Sequence, residues 1–468
     1  MDYNKMPTNS FDNFFLSWTP DRSKLIRPFY LSLANALESD IVSGKLAAGT
    51  RLPPQRELAD FLDLNFTTVT QAYNLCREKQ LIYGVVGRGT FVSPLPGNVL
   101  PGKQNSGEYI ELGLVTGFDH LRTPVIEATR SVLQKGYIEE LYSYTEPAGH
   151  LHQRAAGAHW MAQMDVKTDS EHTAIFSGAQ NAISTALLSL FHLGDKLAVD
   201  EYTYSNLIGT AKLSHIQLLP VPGDSCGMIP EALQELCRNS QIKGVFLMPN
   251  CANPTTCTLS EKRKDELAEI ILENSLTVIE DDNTGTPLPG TADYHSIYSR
   301  VPEQTLYICN STMALCSGLR VTFAAFPEKI KVQLLNALFH LNIKTSSLDA
   351  EIMTELILSG QAKKIIEQKS ALAIERNKIF DSIFPGEIPP GSPAAFFRWL
   401  PLPHLPFKGM ELERELLKNG VNVYHAHRFT VNRNPGGFLR FAISSPHSAE
   451  ELTKGLTTVK NFLDENRV

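Results

Sequence analysis

Apolar positions recur at helical spacing over Arg27–Ser43, where Leu31, Ala34, Leu37, Ile41 and Val42 share one face and Gly44 stops the run. A second helix is expected from Leu52-Pro53-Pro54-Gln55-Arg56-Glu57-Leu58-Ala59, whose prolines suit a first turn, to about Leu62. Asn65 then makes a good N-cap for a third helix, with Val69, Ala72, Tyr73 and Cys76 as its buried stripe. Phe66, Thr67, Thr68, Thr70 and Gln71 fall at its start or on its outer face. Two helices joined by so short a turn, the second opening on small polar residues, have helix-turn-helix geometry. Leu81-Ile82-Tyr83, Gly87-Arg88-Gly89 and Thr90-Phe91-Val92 read as a hairpin with a glycine tip, which lets backbone approach a sugar-phosphate surface while Arg88 enters a minor groove.

The pattern changes at 94–108 (PLPGNVLPGKQNSGE), where Pro, Gly and polar residues replace apolar periodicity, so a linker separates a unit at 21–93 from one at 109–468. Beyond it, short β-rich runs recur at Thr173–Phe176, Lys196–Val199, Ile216–Val221, Gly244–Met248, Leu276–Ile279, Thr305–Cys309 and Val321–Phe326. Helical patterns such as Asn181–Leu193 and Ser260–Asn274 separate most of them, which predicts βαβ units and a largely parallel, doubly wound sheet over about 109–340. Glu328–Phe384 reads as helical. The strands Ala394–Leu400, Val421–Tyr424 and Gly437–Ile443 with a helix at Ala449–Asn466 make a smaller α+β part over about 385–468.

Composition narrows the class. With 43% apolar and 20% charged residues the chain is globular, and 468 residues imply more than one core. No stretch approaches the roughly 20 apolar residues of a membrane span, and the start at Met1–Asp12 lacks the basic and apolar regions of a signal peptide, so a cytoplasmic protein with no membrane partner is expected. Seven scattered cysteines, without a CxxC pair or a histidine at zinc spacing, read as reduced thiols and not as a metal site. The net charge of −7 argues against nucleic acid only on average: residues 21–93 hold nine Lys and Arg against seven Asp and Glu, a net of +2. Affinity for phosphate follows such local charge.

The LPPQRELA segment together with the GRGTFV wing resembles the GntR family of winged-helix regulators. What the resemblance implies is a double-stranded DNA operator touched by Arg56 and by the helix opening at Asn65. The family commonly has an arginine where this chain has Phe66. Beyond the linker the chain resembles fold-type I aminotransferases, and the fusion of the two resembles the MocR subfamily of regulators. That likeness implies a pyridoxal phosphate site, with the phosphate held by Gly178-Ala179-Gln180 at a helix N-terminus and by Arg320. By the same likeness Tyr204 stacks on the ring, Asn253 bonds its phenolic oxygen, Asp281 holds its nitrogen protonated, and Tyr144 reaches the phosphate of a partner subunit in a homodimer. Arg440 matches the arginine that forks a ligand carboxylate.

Two departures bear on chemistry. The family's cofactor lysine, seven residues before the arginine, is Met313 here, and the tyrosine expected two residues after the aspartate is Asn283. Without an amine at 313 neither covalent attachment nor the usual proton transfer is available, and loss of a positioned acid–base group alone costs ~10²–10⁴ in rate. The expectation is therefore a regulator whose pseudo-aminotransferase domain dimerises and senses a small effector: a vitamin B6 form held without a covalent bond, or another anionic metabolite. Two alternatives stand beside it, an aminotransferase with an atypical active site and a regulator whose large domain only dimerises.

Overall fold

The computed structural model describes residues 16–42, 45–47, 49–79, 81–85, 89–93, 109–284, 295–311, 313–386, 392–407, 409–432 and 436–467. The chain divides into two compact units between Glu108 and Tyr109.

The N-terminal unit has α1 (Phe29–Val42), α2 (Gln55–Leu62), α3 (Phe66–Glu78) and an antiparallel hairpin of β1 (Ile82–Val85) and β2 (Gly89–Val92). Leu33, Leu37, Leu58, Leu62, Val69, Tyr73 and Cys76 form one core. Trp18, which lies ahead of the expected start of the unit at residue 21, is 3% exposed in that core and donates its indole N–H to Asp40 at 2.8 Å. The prolines stand before α2 and not inside it. Pro54 is the N-cap, in extended backbone at φ −56 and ψ 140, its ring having fixed φ and removed an N–H that the start of the helix would not use, and the Pro53 carbonyl accepts the Tyr73 hydroxyl at 2.9 Å. Asp63, with φ +48, ends α2, and Asn65 caps α3 by accepting the Thr67 N–H at 2.9 Å, which closes the turn between the helices in three residues.

The second unit opens with β3 (Ile110–Glu111), α4 (Thr123–Val132) and α5 (Leu151–Met161), and then alternates. In order come β4 (Thr173–Phe176), α6 (Ala179–Leu190), β5 (Lys196–Asp200), α7 (Ser205–Leu213), β6 (Gln217–Val221), the short pair β7 (Gly223–Asp224) and β8 (Gly227–Met228), α8 (Pro230–Asn239), β9 (Ile242–Leu247), α9 (Glu261–Glu273), β10 (Thr277–Asp282), β11 (Thr305–Cys309) and β12 (Thr322–Ala325). The main sheet has the order β4-β12-β11-β10-β9-β5-β6; β12 is antiparallel to both its neighbours and every other pair is parallel. Its central strands are buried on both faces. Ile175, Tyr307 and Phe323 belong to one core, and Ala174, Phe176, Ile308 and Ala324 to the other.

Three helices follow, α10 (Glu328–Asn342), α11 (Ser347–Leu358) and α12 (Gln361–Ile383), and then β13 (Arg398–Pro401), α13 (Met410–Lys418), β14 (Val421–Asn422), β15 (Tyr424–His425), β16 (Phe438–Phe441) and α14 (Ala449–Glu465). The smaller part differs from expectation in three ways. Its first strand begins at Arg398, because Ala394, Ala395 and Phe397 turn to pack with Phe118 and Cys251. The run at 421–424 is broken into β14 and β15, which join different sheets. β3 pairs in parallel with β14, and Leu112 packs with Phe380, Leu400 and Val421, so the start of the unit belongs to the small part and not to the large one.

Among the described residues no helix is long and apolar enough to cross a membrane, and no group of His, Cys, Asp and Glu could hold a metal ion.

Candidate functional site

Six of the residues singled out in the second unit converge around the ends of its strands. Asp281 ends the apolar run of β10 and is 2% exposed. Burial, with the neighbouring charge of Asp282, pushes its carboxyl up to about 7, against a hydrogen bond from Asn310. Its Oδ1 has no hydrogen-bond partner. A buried acceptor left in this state is costly, and a ligand ring N–H is the kind of donor that would satisfy it.

Gly178 joins β4 to α6 with φ +84, and a Cβ there would stand 2.2 Å from Arg320 Nη2, so only glycine admits the guanidinium. Arg320 is exposed and pairs with no carboxylate among the described residues. With the first N–H groups of α6, which have no acceptor within the helix, it forms an anion cradle. Gln180 is directed elsewhere: its amide donates to Thr210 Oγ1 at 2.6 Å. Tyr204, at the start of α7, accepts from Asn206 Nδ2 at 3.0 Å. Its hydroxyl is pushed up by burial and by the Asp281 charge, while Arg320 and Arg440 oppose, which puts the four side chains within electrostatic reach of one another.

Arg440 on β16 is 5% exposed, yet no carboxylate pairs with it among the described residues. It donates to Asn253 Oδ1 at 3.0 Å and to the Gly113 carbonyl, while its Nε has no partner. The rings of Phe429, Tyr424 and Phe397 surround it at 4.8, 5.5 and 5.9 Å. Burial lowers its pKa to about 10, opposed by Tyr424, Tyr204 and Glu111. A desolvated guanidinium held by neutral acceptors is what a ligand carboxylate would complete.

Asn283 and Met313 line one tight, mostly apolar cavity, whose lining includes none of the six groups above. Asn283 donates to the Cys251 carbonyl at 2.8 Å and leaves only Oδ1 unmet. It therefore props the segment that carries Asn253, and its free atom is an acceptor that cannot donate to a phenolic oxygen as a tyrosine would. Sequence reasoning missed Lys369 in α12, which lines the same cavity at 1% exposure. Burial lowers its amine to about 8, and its Nζ is committed to the carbonyls of Met313 and Leu315 at 3.1 and 2.9 Å. A single lysine inside a helical pattern gave no signal. Tyr144 is 83% exposed and is not brought to the pocket within the chain.

In the N-terminal unit Arg56 is exposed, with its Cζ 5.8 Å from the centroid of the half-exposed Phe66 ring. The residue that departs from the family pattern thus braces the arginine beside it. Three expected contacts are occupied with local structure: Thr67 Oγ1 donates to Asn65 Oδ1 at 2.8 Å, and Thr70 Oγ1 to Gln55 Oε1 at 2.8 Å. Thr68 and Gln71 remain available, while Gly87 and Arg88 lie outside the described residues. Gly89 has φ +117, and a Cβ there would stand 3.0 Å from Arg51 Nε, which places a second guanidinium against the wing. Arg51 was overlooked because it lies before the motif and reaches the wing only through its bridge to Phe91.

A helix-turn-helix with a wing, fused to an aminotransferase-type domain, defines a class of DNA-binding regulators. Residues 29–92 match the family of bacterial regulatory proteins, gntR family, and residues 114–459 match aminotransferase class I and II. The uncharacterized HTH-type transcriptional regulator YdeF of Bacillus subtilis is 35% identical over 98% of this chain and 100% of its own length. The vitamin B6 salvage pathway transcriptional repressor PtsJ of Salmonella typhimurium is 26% identical over 89% of this chain and 94% of its own. The fold is also that of an archaeal alanine:glyoxylate aminotransferase, with a TM-score of 0.70 at 20% identity over 78% of this chain and 92% of that one. The chain belongs to the GntR/MocR-type HTH transcriptional regulators.

Proposed function

We propose that the aminotransferase-like domain is a sensor without transaminase activity, which binds a vitamin B6 form or a related anionic metabolite non-covalently and changes how paired DNA-binding heads are presented. The observation that carries this reading is the set of buried polar groups without partners, Asp281 Oδ1 and Arg440 Nε, beside the Gly178–Arg320 cradle. A domain kept only for dimerisation gains nothing from that cost. In this arrangement Arg320 and the start of α6 hold a phosphate, Asp281 faces a ring nitrogen, Tyr204 stacks on the ring, Asn253 offers its amide N–H to the phenolic oxygen, and Arg440 takes a carboxylate. When bound, the cofactor would supply an electron sink, but Met313 offers no amine to use it, and Lys369 is tied to backbone. The name of the relative PtsJ supports an effector of vitamin B6 type.

The DNA face is formed by Arg56, Phe66, Thr68 and the wing, with Arg51 beside it. The protein works in the cytoplasm as a homodimer joined through the large domain, where the exposed Tyr142, Tyr144 and Leu151 suit a partner surface. The test is the absorption spectrum and mass of small molecules released from the purified protein on denaturation. A vitamin B6 phosphate, free or as an amino-acid adduct, is expected; a released anion without a pyridine ring would reassign the effector, and no affinity for any vitamin B6 phosphate would end the reading.

A further inference from the structure

The end of the N-terminal unit where α1 and α3 both begin carries charge that the helix-turn-helix face does not use. The two helices lie side by side in the same sense, since the Cys76 thiol approaches the Ala34 carbonyl at 3.6 Å and Lys79 pairs with Glu38 near their far ends. Arg27–Tyr30 and Thr68 lie together at the other end. A cleft of about 530 Å³ opens there, with Arg27, Pro28, Phe29 and Tyr30 on one side and Thr68 of α3 on the other.

Two guanidinium groups stand over one ring at this cleft. Arg22 Cζ is 4.5 Å and Arg27 Cζ 5.7 Å from the Phe29 centroid, and Phe29 is packed against the core of the unit. Such stacking holds a guanidinium in place while its N–H edge stays free. Both arginines are exposed, and neither has an ion pair or hydrogen bond with a described residue. Asp21, the acid next to Arg22 in sequence, is engaged by the N–H and hydroxyl of Ser23 at 2.9 and 2.7 Å. Neither α1 nor α3 has an acidic residue in its first turn. Among the described residues Arg22, Lys24 and Arg27 outweigh the ionised Asp21 here, so the net charge at this end is positive, and it borders the first turn of α3.

We propose that this cleft is a second clamp on the DNA backbone, in which Arg22 and Arg27 each pair with a phosphate flanking the groove that α3 enters. The proposal rests on α3 being that helix. Because both cations stand over a ring and have no ion pair to break among the described residues, forming the phosphate contacts costs little ordering. The contacts are sequence-independent: they set how far α3 is inserted and read no base.

The test is the salt dependence of binding by the full chain to duplex DNA of mixed sequence. Each phosphate contact contributes a slope of about 0.9 in log K against log salt, so Arg22→Ala with Arg27→Ala should lower the slope by about two. Arg22→Lys with Arg27→Lys should keep it near the parent value, since the charges remain. An unchanged slope in the alanine pair, with the melting temperature also unchanged, overturns the clamp, and so does a lysine pair as weak as the alanine pair. Arg56→Ala measured in parallel separates two kinds of failure. If it lowers the slope while the alanine pair does not, the clamp is wrong and the α2–α3 face stands. If neither change has an effect, the DNA face itself is wrong.

Discussion

The two candidate sites of this chain, the helix-turn-helix face and the proposed effector pocket, treat their polar groups in opposite ways. At the start of α3 the polar side chains satisfy one another, Asn65 with Thr67 and Gln55 with Thr70, while Arg56 stands exposed over the Phe66 ring. Among the candidate site residues of the second unit, by contrast, Asp281 Oδ1, Asn283 Oδ1 and Arg440 Nε are buried without partners. An exposed face can exchange its contacts with water, so it can be built to be stable before DNA arrives. A buried site cannot, and on the proposed reading its unmet groups cost stability in the free protein that a bound ligand would return.

That contrast is sharpened first at Asp281. Its folded-state pKa is raised from 3.8 to about 7, so the native state holds a proton that the unfolded chain has released, and stability falls as pH rises through that window. Asp281→Asn should therefore leave the melting temperature unchanged near pH 4 and raise it by several degrees above pH 7, a shift equivalent to roughly 1–3 kcal/mol. The same variant should bind pyridoxamine phosphate more weakly than the parent. A melting temperature insensitive to the substitution across this range would remove the pocket from the comparison.

The opposite surface should respond to loss of its internal order with a smaller, pH-independent change. Asn65→Ala removes the cap of α3 and should cost about 1 kcal/mol of stability in the N-terminal unit, read as a lower first transition in calorimetry, with the salt slope of DNA binding preserved. A lowered slope would mean that Asn65 touches phosphate directly and that the face is not pre-satisfied.

How much of this was legible in the chain follows the range of the interactions. α2, the three-residue turn and α3 were readable because Pro54, Asp63 and Asn65 act on their own backbone. The runs of β4, β5, β9, β10 and β11 were readable because those strands are largely buried on both faces, which makes each run mostly apolar. The pairing of β3 with β14 joins residues more than 300 positions apart and leaves no local trace. Pocket residues were legible only through family likeness, since a glycine, an arginine and an aspartate have ordinary structural uses. Lys369 and Arg51 escaped for the same reason as β3: what matters about each is a contact with a distant segment. Phe66, where the family commonly has an arginine, stands 5.8 Å from Arg56, a contact that the family likeness alone did not indicate.

The central claim, a vitamin B6-type pocket that has lost its amine, is tested most directly by borohydride reduction in the presence of pyridoxal phosphate, with the label located by peptide mass. The parent chain should carry no phosphopyridoxyl group in the pocket, at 313 or at Lys369, while Met313→Lys should carry one at residue 313 and show a pH-dependent visible absorption before reduction. A label on Lys369 of the parent would contradict the account by showing that the amine has moved and not been lost. A Met313→Lys protein that folds and dimerises yet stays unlabelled at every pH would contradict it from the other side, by showing that the pocket is shaped for something other than vitamin B6.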